Sequence, residues 1–138
     1  CLWVSQRKIK LMPVTPDDFL DLACDFDSAV DEMELRNSVS RAYYSGYLHV
    51  IDRIQKAGIA LSAAPSGMHD KLINSLNSNL CSALNGGMPP TKQYELAGIL
   101  KLTKQLRTKS DYKLSETVTQ YDKDTAIANA RQIKSMLP

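Results

Sequence analysis

One stretch of this chain, residues 35–58, constrains its fold more than any other: LRNSVSRAYYSGYLHVIDRIQKAG. Its apolar side chains recur at steps of three and four residues. Because that spacing puts them on one face of a helix, the stretch predicts a long helix with that face in the core. Gly58 stands where a left-handed residue commonly ends a helix. Other side chains lie at the edge of the buried face: Arg36, Arg41, Tyr44 and His49.

Helical spacing of apolar residues recurs in the rest of the chain. The predicted helices cover residues 16–32, 67–84, 91–110 and 122–137. The first begins at Thr15 and Pro16 with acidic residues after them, which is a typical helix start. No segment alternates strictly between apolar and polar residues, so we predict no sheet. The fold class is therefore all-α: an up-and-down four-helix bundle with an additional helix packed against it.

The chain of 138 residues is long enough for one domain with its own core. We predict a bundle domain over residues 15–138, preceded by an N-terminal extension over residues 1–14. Its three cysteines lack the spacing of a zinc site, so we expect no metal and no cofactor. Cys24 and Cys81 fall among apolar residues, which predicts reduced core side chains and a cytoplasmic location. No apolar run is long enough to predict a membrane span.

Charge is distributed unevenly along the chain. Eight of its 15 acidic residues lie between Asp17 and Glu34, a segment without Lys or Arg, so the remainder is strongly basic. The most basic local stretch runs through residues 101–113. A basic body with one acidic helix favours an anionic partner, association of two copies, or both. The acidic residues of the first helix are also explained simply by solubility.

Two short motifs carry a family resemblance. Arg41-Ala42-Tyr43-Tyr44-Ser45 lies in the middle of the long helix, and Arg107-Thr108-Lys109-Ser110-Asp111-Tyr112 lies near the end of another. Together they resemble the HEPN superfamily, and more narrowly its small stand-alone members. The resemblance covers residues 17–137 and implies a helical fold that binds RNA or a nucleotide. It also implies a homodimer.

The nuclease branch of that superfamily has an arginine followed four to six residues later by a histidine. The arginine stabilises charge on a phosphoryl group and the histidine exchanges a proton. Such a site needs no metal, because the 2′-hydroxyl of the RNA can serve as the nucleophile. This chain departs from the pattern, because Arg107 is followed by Tyr112 at that spacing and His49 lies too far from Arg41. Tyrosine, with a usual pKa of about 10, is a poor general base at neutral pH. Catalysis is therefore less well supported than anion binding.

The candidate site residues lie in the two motifs or elsewhere on the same two predicted helices. For a catalytic role the candidates are Arg107, Asp111 and Tyr112, and for substrate binding they are Arg41, Tyr44, His49, Lys104 and Lys109. Arg107 and Asp111 also fit a simple surface ion pair one turn apart. Tyr43 is expected in the core, and His49 is equally explained as a histidine at the core edge. His69 begins the third predicted helix, where relatives often carry a histidine, but a capping or surface role explains it as well.

Three functions stay open at this point. The resemblance implies a toxin or defence ribonuclease, often paired with a minimal nucleotidyltransferase antitoxin that in some pairs modifies a tyrosine, here Tyr112. The alternatives are a non-catalytic module that binds a nucleotide, an RNA or the nucleotidyltransferase, and a purely structural helical dimer. A binding module needs only the basic cleft, whereas a ribonuclease also needs a group that transfers protons.

Overall fold

The computed structural model describes residues 14–25, 31–63 and 66–138. In these residues the chain forms five α-helices and no strand, which confirms the all-α class. The helices are α1 (Pro16–Asp25), α2 (Glu32–Ala57), α3 (Met68–Asn77), α4 (Pro90–Tyr112) and α5 (Gln120–Met136), with a short 3-10 turn at Leu84–Gly86. The up-and-down path and the HEPN-like arrangement stay predictions. Within the described ranges, no helix is both long and apolar enough to cross a membrane.

Helix α2 is the centre of the fold and packs against α1, α4 and α5. The carboxylate of Asp31 caps its start by accepting a hydrogen bond from the Met33 amide at 2.8 Å. Gly58 ends it with a φ of 68°, as predicted. One apolar cluster joins α2 to α3, α4 and the end of α5, and a second joins α2 to α1 and the start of α5. Burial of these two faces therefore holds the helices together.

Helices α2 and α5 approach closely at Gly46. A Cβ at this position would lie 2.7 Å from Cδ1 of Ile133, closer than side-chain atoms normally come. The missing side chain thus lets α5 pack directly on the backbone of α2.

Helix α3 is shorter than predicted. It ends at Asn77 rather than continuing to Leu84, and Asn79 turns the chain with a φ of 58°. The amide of Gln93, fully buried on α4, fixes the path that follows. Its oxygen accepts from the Cys81 N–H at 3.0 Å, and its nitrogen donates to the Met88 carbonyl at 2.9 Å.

Other local predictions also need correction. Glu32 begins α2 instead of ending α1, and the predicted continuation of α1 over residues 26–30 lies outside the described residues, as does nearly all of the predicted extension. Four apolar residues within the predicted helices are exposed rather than in the core: Met68, Leu80, Tyr94 and Leu102. Cys81 is a free, buried thiol as predicted. Cys24 is buried too, but it is disulfide-bonded, so the prediction of a reduced thiol was wrong there.

Candidate functional site

The candidate site is built around Arg107, in the last third of α4. Its Nη2 donates a hydrogen bond to the Tyr44 hydroxyl of α2 at 2.8 Å, and its Nε donates to Oδ2 of Asp111 at 3.1 Å. The guanidinium carbon lies 5.3 Å from the ring centre of Tyr44 and 5.4 Å from that of Tyr112. These distances are typical of cation–π contacts. The arginine is therefore held in one orientation by two helices.

Asp111 links the end of α4 to α2. Its Oδ2 accepts hydrogen bonds from both Arg107 and the Ser40 hydroxyl, the latter at 3.1 Å. Tyr112 follows at the last helical position, and its side chain is 68% exposed. An exposed ring beside a guanidinium is a surface on which a planar ligand can stack.

His69, at the start of α3, completes the site. Its ring stacks on Tyr47 with a centroid distance of 4.1 Å, and its Nδ1 is hydrogen-bonded to the Tyr43 hydroxyl. Nε2 makes no hydrogen bond to the part of the chain that the structure describes. When Nδ1–H donates to Tyr43, Nε2 is free to accept a proton; in the other tautomer, Nε2–H is a donor. We name Tyr43, Tyr44, Tyr47, His69, Arg107, Asp111 and Tyr112 together the tyrosine–arginine cluster.

Burial and positive charge control the protonation of the cluster. The pKa of His69 lies below its usual value, chiefly because of burial and then because of the nearby charges of Arg107 and Lys104. The neutral imidazole therefore predominates at pH 7. Burial is also the largest cause of the raised pKa values of Tyr43 and Tyr47, whose phenols are neutral at that pH.

A buried arginine positions the end of α4, where three of these residues lie. Arg36 is 4% exposed and donates from Nη1 to the carbonyls of Lys109 and Ser110, at 3.1 and 2.9 Å. From Nη2 it donates to the carbonyl of Glu116 in the following loop. The last carbonyls of a helix have no hydrogen-bond partner within the helix, and the Arg36 guanidinium supplies donors to two of those in α4. Arg36 therefore acts as the C-terminal cap of α4.

The structure brings some predicted site residues together and leaves others outside. Tyr44, Arg107, Asp111 and Tyr112 are in the cluster. Lys104 stands at its border, where it forms a 2.6 Å ion pair with Asp70, the neighbour of His69. The outliers are Arg41, His49 and Lys109.

Each outlier has a structural explanation. Arg41, partly exposed, has no hydrogen bond or ion pair with residues in the described ranges. His49 is buried on another side of α2, where Nε2 is 2.5 Å from the Leu137 carbonyl. Lys109 points to the start of α5 and pairs with Asp122 at 2.9 Å. The histidine at the core edge is therefore His49, whereas the histidine beside the arginine is His69.

Sequence reasoning gave His69 no place among the site residues because no local pattern marks it. It lies 26 positions from Tyr43, on a different helix. The available signal was the pair Tyr43 and Tyr47, one turn apart, which leaves an aromatic face able to receive a ring.

Among the residues that the structure describes, no group of three or more His, Cys, Asp or Glu side chains is arranged to hold a metal ion. Comparisons of the chain with protein-family models, with curated proteins and with solved structures found no match. The fold and the cluster together define an all-α protein with a partly exposed arginine, histidine and tyrosine site at the meeting of three helices.

Proposed function

We propose that this protein binds single-stranded RNA at the tyrosine–arginine cluster and cleaves it without a metal ion. The observation that carries the proposal is that Arg107, oriented by the Tyr44 hydroxyl, and His69, whose Nε2 has no partner in the described chain, both lie against the ring of Tyr43. Arginine suits a phosphodiester, and exposed Tyr112 suits a base. The partial resemblance to the HEPN superfamily points the same way.

The chemistry follows from these groups. His69 Nε2 takes the proton of the ribose 2′-hydroxyl, whose oxygen attacks the adjacent phosphorus. The guanidinium of Arg107 stabilises the negative charge that develops on the phosphoryl oxygens. The bond to the 5′-oxygen breaks, that oxygen takes a proton from solvent, and a 2′,3′-cyclic phosphate remains. A DNA strand has no 2′-hydroxyl and should be bound but not cleaved.

The second candidate is a non-catalytic module that binds RNA, a nucleotide or a nucleotidyltransferase. One observation favours it: Arg107 is already paired with Asp111, so a phosphate must compete with a carboxylate for the guanidinium. Under either function we propose a homodimer, and a nucleotidyltransferase partner would find Tyr112 accessible because its ring is largely exposed. Light scattering of the purified chain tests the dimer directly.

The ribonuclease is tested by incubating the protein in EDTA with end-labelled single-stranded RNA and with a DNA strand of the same sequence. Arg107→Gln should lose both binding and cleavage, whereas His69→Gln should lose cleavage and keep most of the binding. Arg53→Gln, a partly exposed arginine paired with Asp52 outside the cluster, is the matched control and should behave as wild type.

The result separates the candidates. Cleavage that disappears in His69→Gln, with cyclic-phosphate ends on the products, supports the ribonuclease. Binding without cleavage by wild type supports the module. A wild-type protein that binds no RNA and no nucleotide would overturn the ribonuclease, and it would leave only nucleotidyltransferase binding to the module.

A further inference from the structure

A polar groove of about 520 Å³ lies between α3 and α4, beside the cluster. Its described wall residues are lysines, amides and hydroxyls, with one acid and one aliphatic side chain; the lysines are Lys101, Lys104 and Lys113. None of the described residues that line it is aromatic. We name it the α3–α4 groove. Its chemistry suits phosphate and sugar oxygens rather than the face of a base.

The groove holds positive charge that the described chain does not neutralise. Asp70, the only acid among the described residues of its walls, forms an ion pair with Lys104. Lys101 has no ion pair within the described ranges, and Lys113 has only a long 3.8 Å contact with Glu116. A phosphate entering the groove therefore meets two ammonium groups whose charge is largely available.

Hydrogen-bonding capacity is also left over on the walls. The side-chain amides of Asn74 and Asn77 make no hydrogen bond within the described chain. The buried hydroxyl of Ser66 has no hydrogen-bond partner there either. Asn74 and Asn77 are exposed, so their amides are accessible to water and to a ligand, whereas the Ser66 hydroxyl is a buried group that lacks the usual partner. These wall groups can therefore form hydrogen bonds with a polar ligand.

The groove leads directly to the cluster. Asp70 in its wall follows His69 in sequence, and Lys104 precedes Arg107 by about one helical turn. The charges of Lys104 and Arg107 both act on His69. A strand that places one phosphodiester at Arg107 would thus lay its neighbouring phosphates in the groove, where Lys101 and Lys113 carry the available charge.

We propose that the α3–α4 groove is the backbone track for the RNA strand, holding two phosphates next to the nucleotide that occupies the tyrosine–arginine cluster. This inference rests on the proposed function. Single-strand binding proteins commonly use separate groups for backbone and base. Here the ammonium and amide groups of the groove would bind the backbone, and the exposed ring of Tyr112 would stack on a base.

The test compares a double variant, Lys101→Gln with Lys113→Gln, against a control with the same change in charge, Lys56→Gln with Lys92→Gln. The control lysines are exposed and lie outside the groove. Binding of a labelled RNA of about 12 nucleotides, long enough to fill both sites, is measured by fluorescence anisotropy at several salt concentrations. A dinucleotide, which fits the cluster alone, is measured in parallel.

In the groove variant the slope of log affinity against log salt should become shallower by about 0.7 for each phosphate that the groove no longer binds. The control should keep the wild-type slope, and the dinucleotide should bind both variants equally.

Equal slopes for groove variant and control would overturn the backbone track, and if Arg107→Gln still abolished binding, the proposed function would stand. An equal drop in affinity for dinucleotide and long RNA in the groove variant would also overturn it, because the groove would then hold a single nucleotide. A wild type that binds no RNA would remove the proposed function and this inference together.

Discussion

Arg36 is the residue whose replacement should reveal most about how the site is held. Its side chain is 5% exposed, and its guanidinium donates to carbonyls at the end of α4 and in the next loop. The contacts to Lys109, Ser110 and Glu116 are the close ones, whereas those to Lys113 are long, at 3.4 Å. Its only ion pair within the described residues is with Glu32, which is 44% exposed, so the carbonyls account for most of its stabilising effect.

Replacing Arg36 with Met keeps the apolar stem and removes every donor. A hydrogen bond from a charged group contributes about 1.5–3 kcal/mol, but these bonds share one guanidinium and water can reach the loop carbonyls. We therefore expect Arg36→Met to lower the free energy of unfolding by about 3 kcal/mol. Arg36→Lys, with one ammonium in place of the planar fork, should lose about 1 to 2 kcal/mol.

Urea denaturation followed by circular dichroism measures both variants. Arg53→Met is the matched control, because Arg53 is partly exposed and pairs with its neighbour Asp52. It should lose no more than about 0.5 kcal/mol. Equal losses for Arg36→Met and Arg53→Met would refute the assignment of Arg36 as the cap of α4.

Three further changes test other parts of the structure. Gly46→Ala should lower the free energy of unfolding by about 1 kcal/mol, because the crowding against Ile133 outweighs the gain in helix propensity. In an Ile133→Val background, which removes the crowding atom, urea denaturation should show Gly46→Ala to be stabilising. If Gly46→Ala destabilised both backgrounds, the close approach of α2 and α5 would be contradicted. Gln93→Met should lower the free energy of unfolding by about 3 kcal/mol, because it leaves the Cys81 N–H and the Met88 carbonyl unpaired. A loss below about 1 kcal/mol in urea denaturation would show that the Gln93 amide does not fix the path of the chain between α3 and α4. Because the pKa of His69 is lowered on folding, the unfolded chain binds more protons, so stability should fall as pH drops below the unfolded value of about 6.5 and level off below the folded pKa. The free energy of unfolding of His69→Gln, measured across the same pH range, should not show this loss at low pH. An identical pH dependence of stability in wild type and variant would contradict the assignment of the loss to His69.

Periodicity and caps were sufficient to predict the main helices. Helix α2 could be read from the sequence because its apolar spacing and its end at Gly58 are local properties. The burial of Tyr43 followed from the same spacing. The two motifs named Tyr44 and Arg107 as candidate site residues, and the structure joins them by a hydrogen bond.

Where prediction failed, the cause was a contact between distant parts of the chain. The apolar spacing of residues 67–84 fits one helix, but the turn at Asn79 and the buried amide of Gln93 end α3 at Asn77. Leu80 consequently faces solvent, although its spacing placed it in the core. Periodicity describes a helix if one forms, and it does not say where tertiary hydrogen bonds stop it.

The sequence by itself determined that this chain is built from amphipathic helices and that its basic, tyrosine-bearing helix ends are its chemically distinctive parts. Only the tertiary structure decided which histidine joins the tyrosine–arginine cluster and which arginine caps α4. His69 reaches the cluster through the stacking of its ring on α2, and Arg36 reaches carbonyls 73 or more positions away. Such contacts depend on how the helices are rotated and placed against one another, and packing across the whole core sets that placement.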